Sequence, residues 1–311
     1  MIWSISESRT FRRCQRQWYY KNVLASPKAK DASRREAYVL SKLQSISSWR
    51  GQIVDSIISD QIIPAIKSGR RYTLGQAKKS ALNLFDRQLE IARQHPLRDK
   101  GFCANKDGSK TVVLHCMEYG GEIPEDEIVR ARKEIAAAFD NLVKMRDLFG
   151  LLSSAERLIS QRSLIFKHSE ASIRAVPDLI AFYKDEPPLI VDWKVHVFGV
   201  REAWLQLAVY AQALLKCKPH VDFPESLGRW TPADVRLVEA QLLTNAVRQY
   251  KLSSEELDRA EAYIAESVTH ILLALGGRDN AELTAADFPV TFSPDACQRC
   301  AFRTICWQEE G

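Results

Sequence analysis

The chain has 311 residues, 46% of them hydrophobic and 27% charged, a balance that fits a globular protein of one large domain or two smaller ones. No apolar run reaches the roughly 20 residues of a membrane span, and the opening MIWSISESRT lacks a signal-peptide core, so a cytoplasmic protein without membrane contact is expected. The net charge of +5 is compatible with a polyanion without requiring one, and seven cysteines, an odd number, argue against a secreted disulfide framework.

In chain order, residues 4–25 predict a helix packed through Phe11, Trp18, Tyr19 and Val23. A second helix is predicted from Ser45 to Ile66, where Ile46, Trp49, Ile53, Val54, Ile57, Ile58 and Ile62 follow a helical period. A third runs from Leu74 to Ala92. The Gly- and Lys-rich stretch 99–122, with TVVLHCMEY, reads as a hairpin insertion. An acidic turn, PEDE, opens a helix from Glu125 to about Phe149. Three strand-like runs follow, Leu158–Phe166, Ala171–Tyr183 and Leu189–Val195, with the turn KDEPP between the last two. The helix VREAWLQLAVYAQALLK and a fourth strand, Val235–Thr244, come next. A capping box at Ser253–Glu256 opens a long helix to about Leu275. The pattern predicts an α/β protein: a small mixed central sheet wrapped by helices, with a helical N-terminal region and a cysteine-cluster tail. No internal repeat and no low-complexity tract interrupts it.

The chemistry concentrates in LIVDWKV, residues 189–195. Strand side chains alternate faces, so Asp192 and Lys194 point the same way within an apolar run. Burying such a pair is costly unless it is matched or bound. Pro177-Asp178 precedes it across the Pro-Pro turn, so a hairpin brings Asp178 and Asp192 side by side. Two carboxylates that close call for a cation, and hard oxygen donors suit magnesium or manganese. Lys194 is placed to orient a water or stabilise a phosphate in its transition state. Gln206 and Tyr210, four apart on the following helix, share one face above the same place. The plainer reading of a D-x-K on a strand is a salt bridge at the strand end, and each added residue weakens it.

PD…DWK followed by QLAVY resembles the PD-(D/E)XK nuclease superfamily, specifically its RecB-like branch with a Q-x-x-x-Y motif. Relatives there include the AddB nuclease domain and the CRISPR-associated adaptation exonucleases. The resemblance implies a restriction-endonuclease-like core and a single nuclease domain over 1–311. Within it, 1–25 is an N-terminal helix carrying Cys14, 26–150 a helical region with the insertion at about 99–122, 151–250 the catalytic core, and 251–311 a C-terminal helix and tail. It implies Asp178 and Asp192 as metal ligands, Lys194 as the catalytic lysine, and Gln206 and Tyr210 as support for the site or the strand. Glu156 stands where the branch often carries a glutamate; a surface glutamate is the alternative. The branch usually has Gly-x-x-x-His on a helix, and here Gly51-Gln52-Ile53-Val54-Asp55 puts aspartate in the histidine position. Asp55 is then either a hard-metal ligand or a helix-surface acid. His115, beside apolar residues, reads as structural.

The tail holds Cys297, Cys300 and Cys306 as C-x2-C-x5-C. Three thiols this close suggest a soft-metal site, with Cys14 as the fourth ligand. One cysteine at the start and three at the end resemble the 4Fe–4S staple of AddB-type nucleases, with a four-cysteine zinc site as the competitor. The expected function is a Mg2+- or Mn2+-dependent deoxyribonuclease acting on single-stranded DNA or DNA ends. Arg12, Arg13, Arg16 and Trp18 are expected along the strand's path, with a core aromatic and solvated arginines as the equal alternative. No G-x-x-x-x-G-K-[ST] loop occurs, so a helicase or another defence or repair protein, CRISPR systems included, is the expected partner. The alternative is a non-cutting nucleic-acid-binding or scaffold subunit with a nuclease fold.

Overall fold

The computed structural model describes residues 1–69, 73–99, 111–196 and 203–308. It divides into two compact units, each gathered from separate stretches of chain. The first takes in 1–4, 47–85 and 128–265; the second takes in 5–46, 86–127 and 266–311. The catalytic segment expected at 151–250 falls inside the first.

Eight strands occur among the described residues: β1 Ile2–Trp3, β2 Arg157–Ser160, β3 Leu164–His168, β4 Ala171–Ala175, β5 Leu179–Phe182, β6 Leu189–Lys194, β7 Arg236–Gln241 and β8 Ala246–Tyr250. They form a five-stranded sheet, β2-β5-β6-β7-β8, and a three-stranded one, β1-β4-β3. Both are mixed. β6 and β7 run parallel while β2/β5, β5/β6 and β7/β8 are antiparallel. The architecture is therefore α/β, as the sequence pattern predicts. Two of the expected strands each prove to be a pair. Gln161, with φ at 51°, ends β2, because an L-residue in the left-handed region cannot continue a strand. Pro177, which has no N–H to give a ladder, separates β4 from β5. A two-residue turn with Ser169 at φ 51° joins β3 to β4.

The helices are α1 Ile5–Arg13, α2 Gln15–Tyr19, α3 Ala32–Leu40, α4 Ile46–Ile57, α5 Ile63–Lys67, α6 Leu74–Arg93, α7 His115–Gly120, α8 Glu125–Leu142, α9 Arg146–Ser154, α10 Ala203–Lys216, α11 Ser254–Leu275, α12 Pro294–Gln298 and α13 Arg303–Gln308. Several expectations are corrected here. The first helix breaks at Cys14, whose backbone is extended (φ −162°, ψ 113°) and whose sulfur accepts the Gln17 N–H to cap α2. The helix expected over 125–149 is interrupted between α8 and α9. Of the expected hairpin insertion, 100–110 lie outside the described residues, and His115–Gly120 is helical, with a single bridge between Gln44 and Leu114. Between α4 and α5 the chain widens to i→i+5 bonding over Ile58–Ile62, just ahead of Pro64, which has no N–H to donate. The capping box at Ser253 is present, its hydroxyl accepting from the Glu256 N–H at 3.2 Å and Glu256 accepting from the Ser253 N–H at 2.9 Å.

In the first unit, β5 is buried along its length and β6 at every residue before Lys194, as expected for strands covered on both faces. α10, almost wholly apolar, lies against β3, β4, β6 and β7. α4 is anchored by Trp49, fully buried and stacked on Phe85 with ring centroids 4.5 Å apart. In the second unit the two chain ends pack through aromatic rings. Tyr19 stacks on Phe288 at 4.9 Å, Trp18 lies 5.9 Å from the same ring, and Tyr20 meets Phe302 at 5.6 Å. Trp18 is thus core, not a lining for a nucleic-acid strand, and the Arg16 Nε donates to the Phe288 carbonyl at 3.0 Å.

Because Trp49 holds α4 in place, Trp49→Ala is expected to destabilise the protein by about 3–5 kcal/mol, the usual cost of deleting a buried aromatic ring. A thermal melt reads it, and an unchanged melting temperature would show that α4 is anchored elsewhere.

Candidate active site

β5 and β6 pair with Leu179 opposite Val191 and Ile180 opposite Ile190. Continuing that register by one residue sets Asp178 across from Asp192. Asp178 stands just before β5, inside what the sequence reads as one continuous strand-like run. Its Oδ2 accepts the Trp193 N–H at 2.8 Å. The partner strand's backbone therefore aims this carboxylate along the sheet.

Asp192 is buried at 3% exposure and forms an ion pair with Lys194, two residues on along the same face. Its Oδ1 accepts from the Gln206 Nε2 at 3.1 Å, and the same amide nitrogen donates to the Tyr210 hydroxyl at 2.6 Å. The four-residue spacing on α10 stacks Gln206 and Tyr210 one turn apart, which is why one amide reaches both. On the parallel neighbour β7, Glu239 stands level with Asp192. It is 1% exposed and accepts from Gln241 at 2.8 Å and Arg248 at 3.2 Å.

An open cavity lies over these groups, lined by Asp178, Asp192, Lys194 and Gln206 and by Ser47, Ser48, Gly51 and Asp55 of α4. Arg50, on the same helix, reaches Glu134 of α8 and the Val195 carbonyl just past β6. It ties α4 to the strand that carries Asp192. A Cβ at Gly51 would meet nothing within 4 Å. The glycine therefore serves no packing need and leaves that wall of the cavity without a side chain. Asp55 is brought into the site; it is no remote surface acid. Its two oxygens accept from the Gln161 Nε2 at 3.0 and 2.9 Å, and that nitrogen also donates to Asp178 Oδ1 at 3.3 Å. Gln161 was not legible from the sequence, where it is one polar residue after an apolar run. Glu156 is not brought to the group. It is exposed, and its N–H bonds the Phe182 carbonyl at the far end of β5 from Asp178.

These acids do not titrate as free carboxyls. Burial foremost, then the nearby charges of Asp192 and Asp55, raises Asp178 from 3.8 to about 8. Burial likewise raises Asp55 to about 6, against the Gln161 hydrogen bond that favours its charged form. Asp192 is raised by burial, opposed by Lys194. Among the described residues no three His, Cys, Asp or Glu stand close enough to close round a single ion. Magnesium is ordinarily held by one or two carboxylates and completed by water. Asp178 and Asp192 supply hard oxygens whose repulsion a cation relieves, so the residues present fit such an ion.

In the second unit, Cys14, Cys297, Cys300 and Cys306 all line one cavity, together with Tyr20, Arg303 and Trp307. Cys217 is buried elsewhere, its thiol donating to the Leu214 carbonyl at 3.5 Å, and Cys103 lies outside the described residues. Burial pushes the Cys300 thiol up to about 11, and the neighbouring Cys14 and Cys306 push the same way. The four thiols share this space, although among the described residues no three of them stand close enough to close round a single ion. His115 belongs here and not with the carboxylates: its Nε2 lies 3.3 Å from the Cys300 carbonyl. Tyr119 donates to the Ala301 carbonyl at 2.7 Å, and the Arg303 guanidinium lies 4.0 Å above the Tyr119 ring. α7 is thereby the brace of the cysteine loop.

A family model described as the PD-(D/E)XK nuclease superfamily matches residues 2–307. No curated protein matches the chain.

The raised carboxyls fix the sign of a pH dependence. Folded-state values above the unfolded value mean that the native protein holds extra protons between about pH 4 and 8, so stability falls as pH rises through that window. The melting temperature is expected to drop from pH 5 to 8.5 and to recover on adding Mn2+. Mn2+ affinity should strengthen up to about tenfold per pH unit below 8, for one displaced proton. Asp178→Asn should flatten both profiles; an unaltered slope in that variant would assign the titration to other groups.

Proposed function

The chain belongs to the PD-(D/E)XK nuclease superfamily, and from that premise we propose that it is a divalent-metal-dependent deoxyribonuclease of the RecB-like branch, cutting single-stranded DNA or DNA ends. The observation that carries the reading is the meeting of Asp178, Asp192 and Lys194 on one open cavity, with Gln206 and Tyr210 behind them. Its mixed α/β architecture is that of a restriction-endonuclease-like fold.

In this reading Asp178 and Asp192 hold Mg2+ or Mn2+, and the ion supplies Lewis-acid charge at a phosphoryl oxygen when bound. Lys194 presents its ammonium toward the reacting phosphate, orienting the attacking water and offsetting the negative charge that builds there. The water oxygen bonds to phosphorus, the ester P–O bond breaks, and the departing oxygen leaves with a proton. Gln206 orients Asp192 by hydrogen bonding and is itself held by Tyr210. Asp55, standing where the branch usually has histidine, adds a third carboxylate to the cavity. Arg12 and Arg13, exposed on α1, are candidates for phosphate contact. With no nucleotide-binding loop in this sequence, a helicase or a defence or repair complex is the partner this reading calls for.

The same reading gives the four cysteines a 4Fe–4S cluster in a structural role. Their convergence on one cavity supports it. Cys14 is not the sole link between the chain ends, because Trp18, Tyr19 and Tyr20 pack on Phe288 and Phe302 independently of any metal.

Anaerobically purified protein, given end-labelled single- and double-stranded DNA and RNA with Mg2+ or Mn2+, is expected to cut DNA. Asp192→Asn and Lys194→Ala should each lower the rate by at least about a hundredfold with the fold intact. Wild-type rates in either variant would refute the mechanism, and cutting confined to RNA would refute the substrate.

Cys14→Ser is expected to lose iron and brown colour and to lower the melting temperature without unfolding the chain, while Cys217→Ser changes neither. Metal analysis and visible absorption read the outcome. A colourless protein with one zinc per chain would replace the cluster, and full metal content in Cys14→Ser would remove that residue from the ligand set.

A further inference from the structure

Among the described residues, Gln161 is the side chain that hydrogen-bonds both Asp55 and Asp178, and no motif points to it. Its amide nitrogen carries two hydrogens and faces three carboxylate oxygens: Asp55 Oδ1 at 3.0 Å, Asp55 Oδ2 at 2.9 Å and Asp178 Oδ1 at 3.3 Å. One hydrogen can be shared across the two oxygens of Asp55 while the other goes to Asp178. Each carboxylate then keeps further lone pairs for the cavity. From the other side, Asp178 Oδ2 is fixed by the Trp193 N–H at 2.8 Å. Both oxygens of Asp178 are thus oriented, one by the neighbouring strand and one by Gln161.

The backbone supports the same arrangement. Gln161 donates its own N–H to the Asp178 carbonyl at 3.1 Å, so it grips that residue twice, through main chain and side chain. It does so at φ 51°, an unfavourable conformation for a residue with a Cβ, which turns the chain out of β2. The side chain is exposed and packs in no core, so burial does not explain its place. A like arrangement exists across the site, where the Gln206 amide donates to Asp192 at 3.1 Å. Amides that orient ligating carboxylates ordinarily tune metal affinity.

We infer that Gln161 is a positioning residue that holds Asp55 and Asp178 in a shared orientation and thereby sets the divalent-metal affinity of the cavity. The inference rests on Asp178 and Asp192 being the metal-holding pair. Gln161 joins Asp55 to that pair and keeps two raised, mutually repelling acids facing one space. Removing its donors lets the two carboxylates turn apart, while Lys194 and the Asp192–Gln206 contact stay as they are.

The test is Mn2+ titration of the full-length protein by calorimetry, with cutting rates measured across Mn2+ concentrations and a thermal melt on each variant. Gln161→Met keeps the shape and removes the donors; Gln161→Ala removes both. Each is expected to bind Mn2+ about 10- to 100-fold more weakly, with a melting temperature close to wild type. Cutting should approach the wild-type maximum at high Mn2+. Asp192→Asn, by contrast, should not be rescued by metal. Wild-type Mn2+ affinity in Gln161→Met would overturn the inference and leave the proposed nuclease site standing. Loss of the fold in both Gln161 variants would make the residue structural and overturn it equally. Absence of Mn2+ binding to the wild-type protein would overturn the metal-site reading itself, and this inference with it.

Discussion

Two carboxylates placed opposite each other on neighbouring strands repel, and burial makes the repulsion worse. The β5–β6 register imposes this on Asp178 and Asp192, and much of the surrounding structure answers it. The Trp193 N–H, the Gln206 amide, the Gln161 amide and the Lys194 ammonium each meet one or more of the crowded oxygens. Even with these contacts both acids stay raised, Asp178 by burial and by the charge of Asp192, and Asp192 by burial above all. Such a pair at the centre of a sheet suits the divalent cation that the proposed function places there.

The rest of the first unit serves to keep the two strands still. β5 and β6 are covered on both faces, so their register cannot slip without exposing an apolar set. α10 follows β6 and returns the chain to the parallel strand β7, which brings Gln206 back over Asp192. α4 closes the cavity from another side, fixed by the Trp49–Phe85 stack and by Arg50 reaching to Glu134 and Val195. In the second unit a different economy holds. Aromatic rings from residues 18–20 and from Phe288 and Phe302 join the chain ends, and Tyr20 also lines the cysteine cavity.

Asp192 and Lys194 were legible in LIVDWKV, because a D-x-K inside a strand-like apolar run violates the pattern that packing alone would select. Gln206 and Tyr210 were legible for a related reason, since helical spacing puts them on one face. Gln161 was not. Its role depends on a left-handed backbone after β2 and on a strand pairing that joins residues far apart in sequence. Strand breaks at Gln161 and Pro177 were hidden inside long apolar runs for the same cause. Cys14 was legible as a thiol but not as a helix cap, and His115 as a histidine but not as a brace for Cys300. Glu156 shows the opposite failure. Its place in the motif suggested the site, but β2 carries it to the wrong end of the sheet, and only pairing register reveals that.

Diffraction from a crystal grown with Mn2+, recorded at an energy where manganese scatters anomalously, locates the ion without reference to activity. The account predicts one strong peak between the carboxylates of Asp178 and Asp192, within coordination distance of both. A well-ordered cavity with no peak there, or a peak held by surface acids alone, would contradict it.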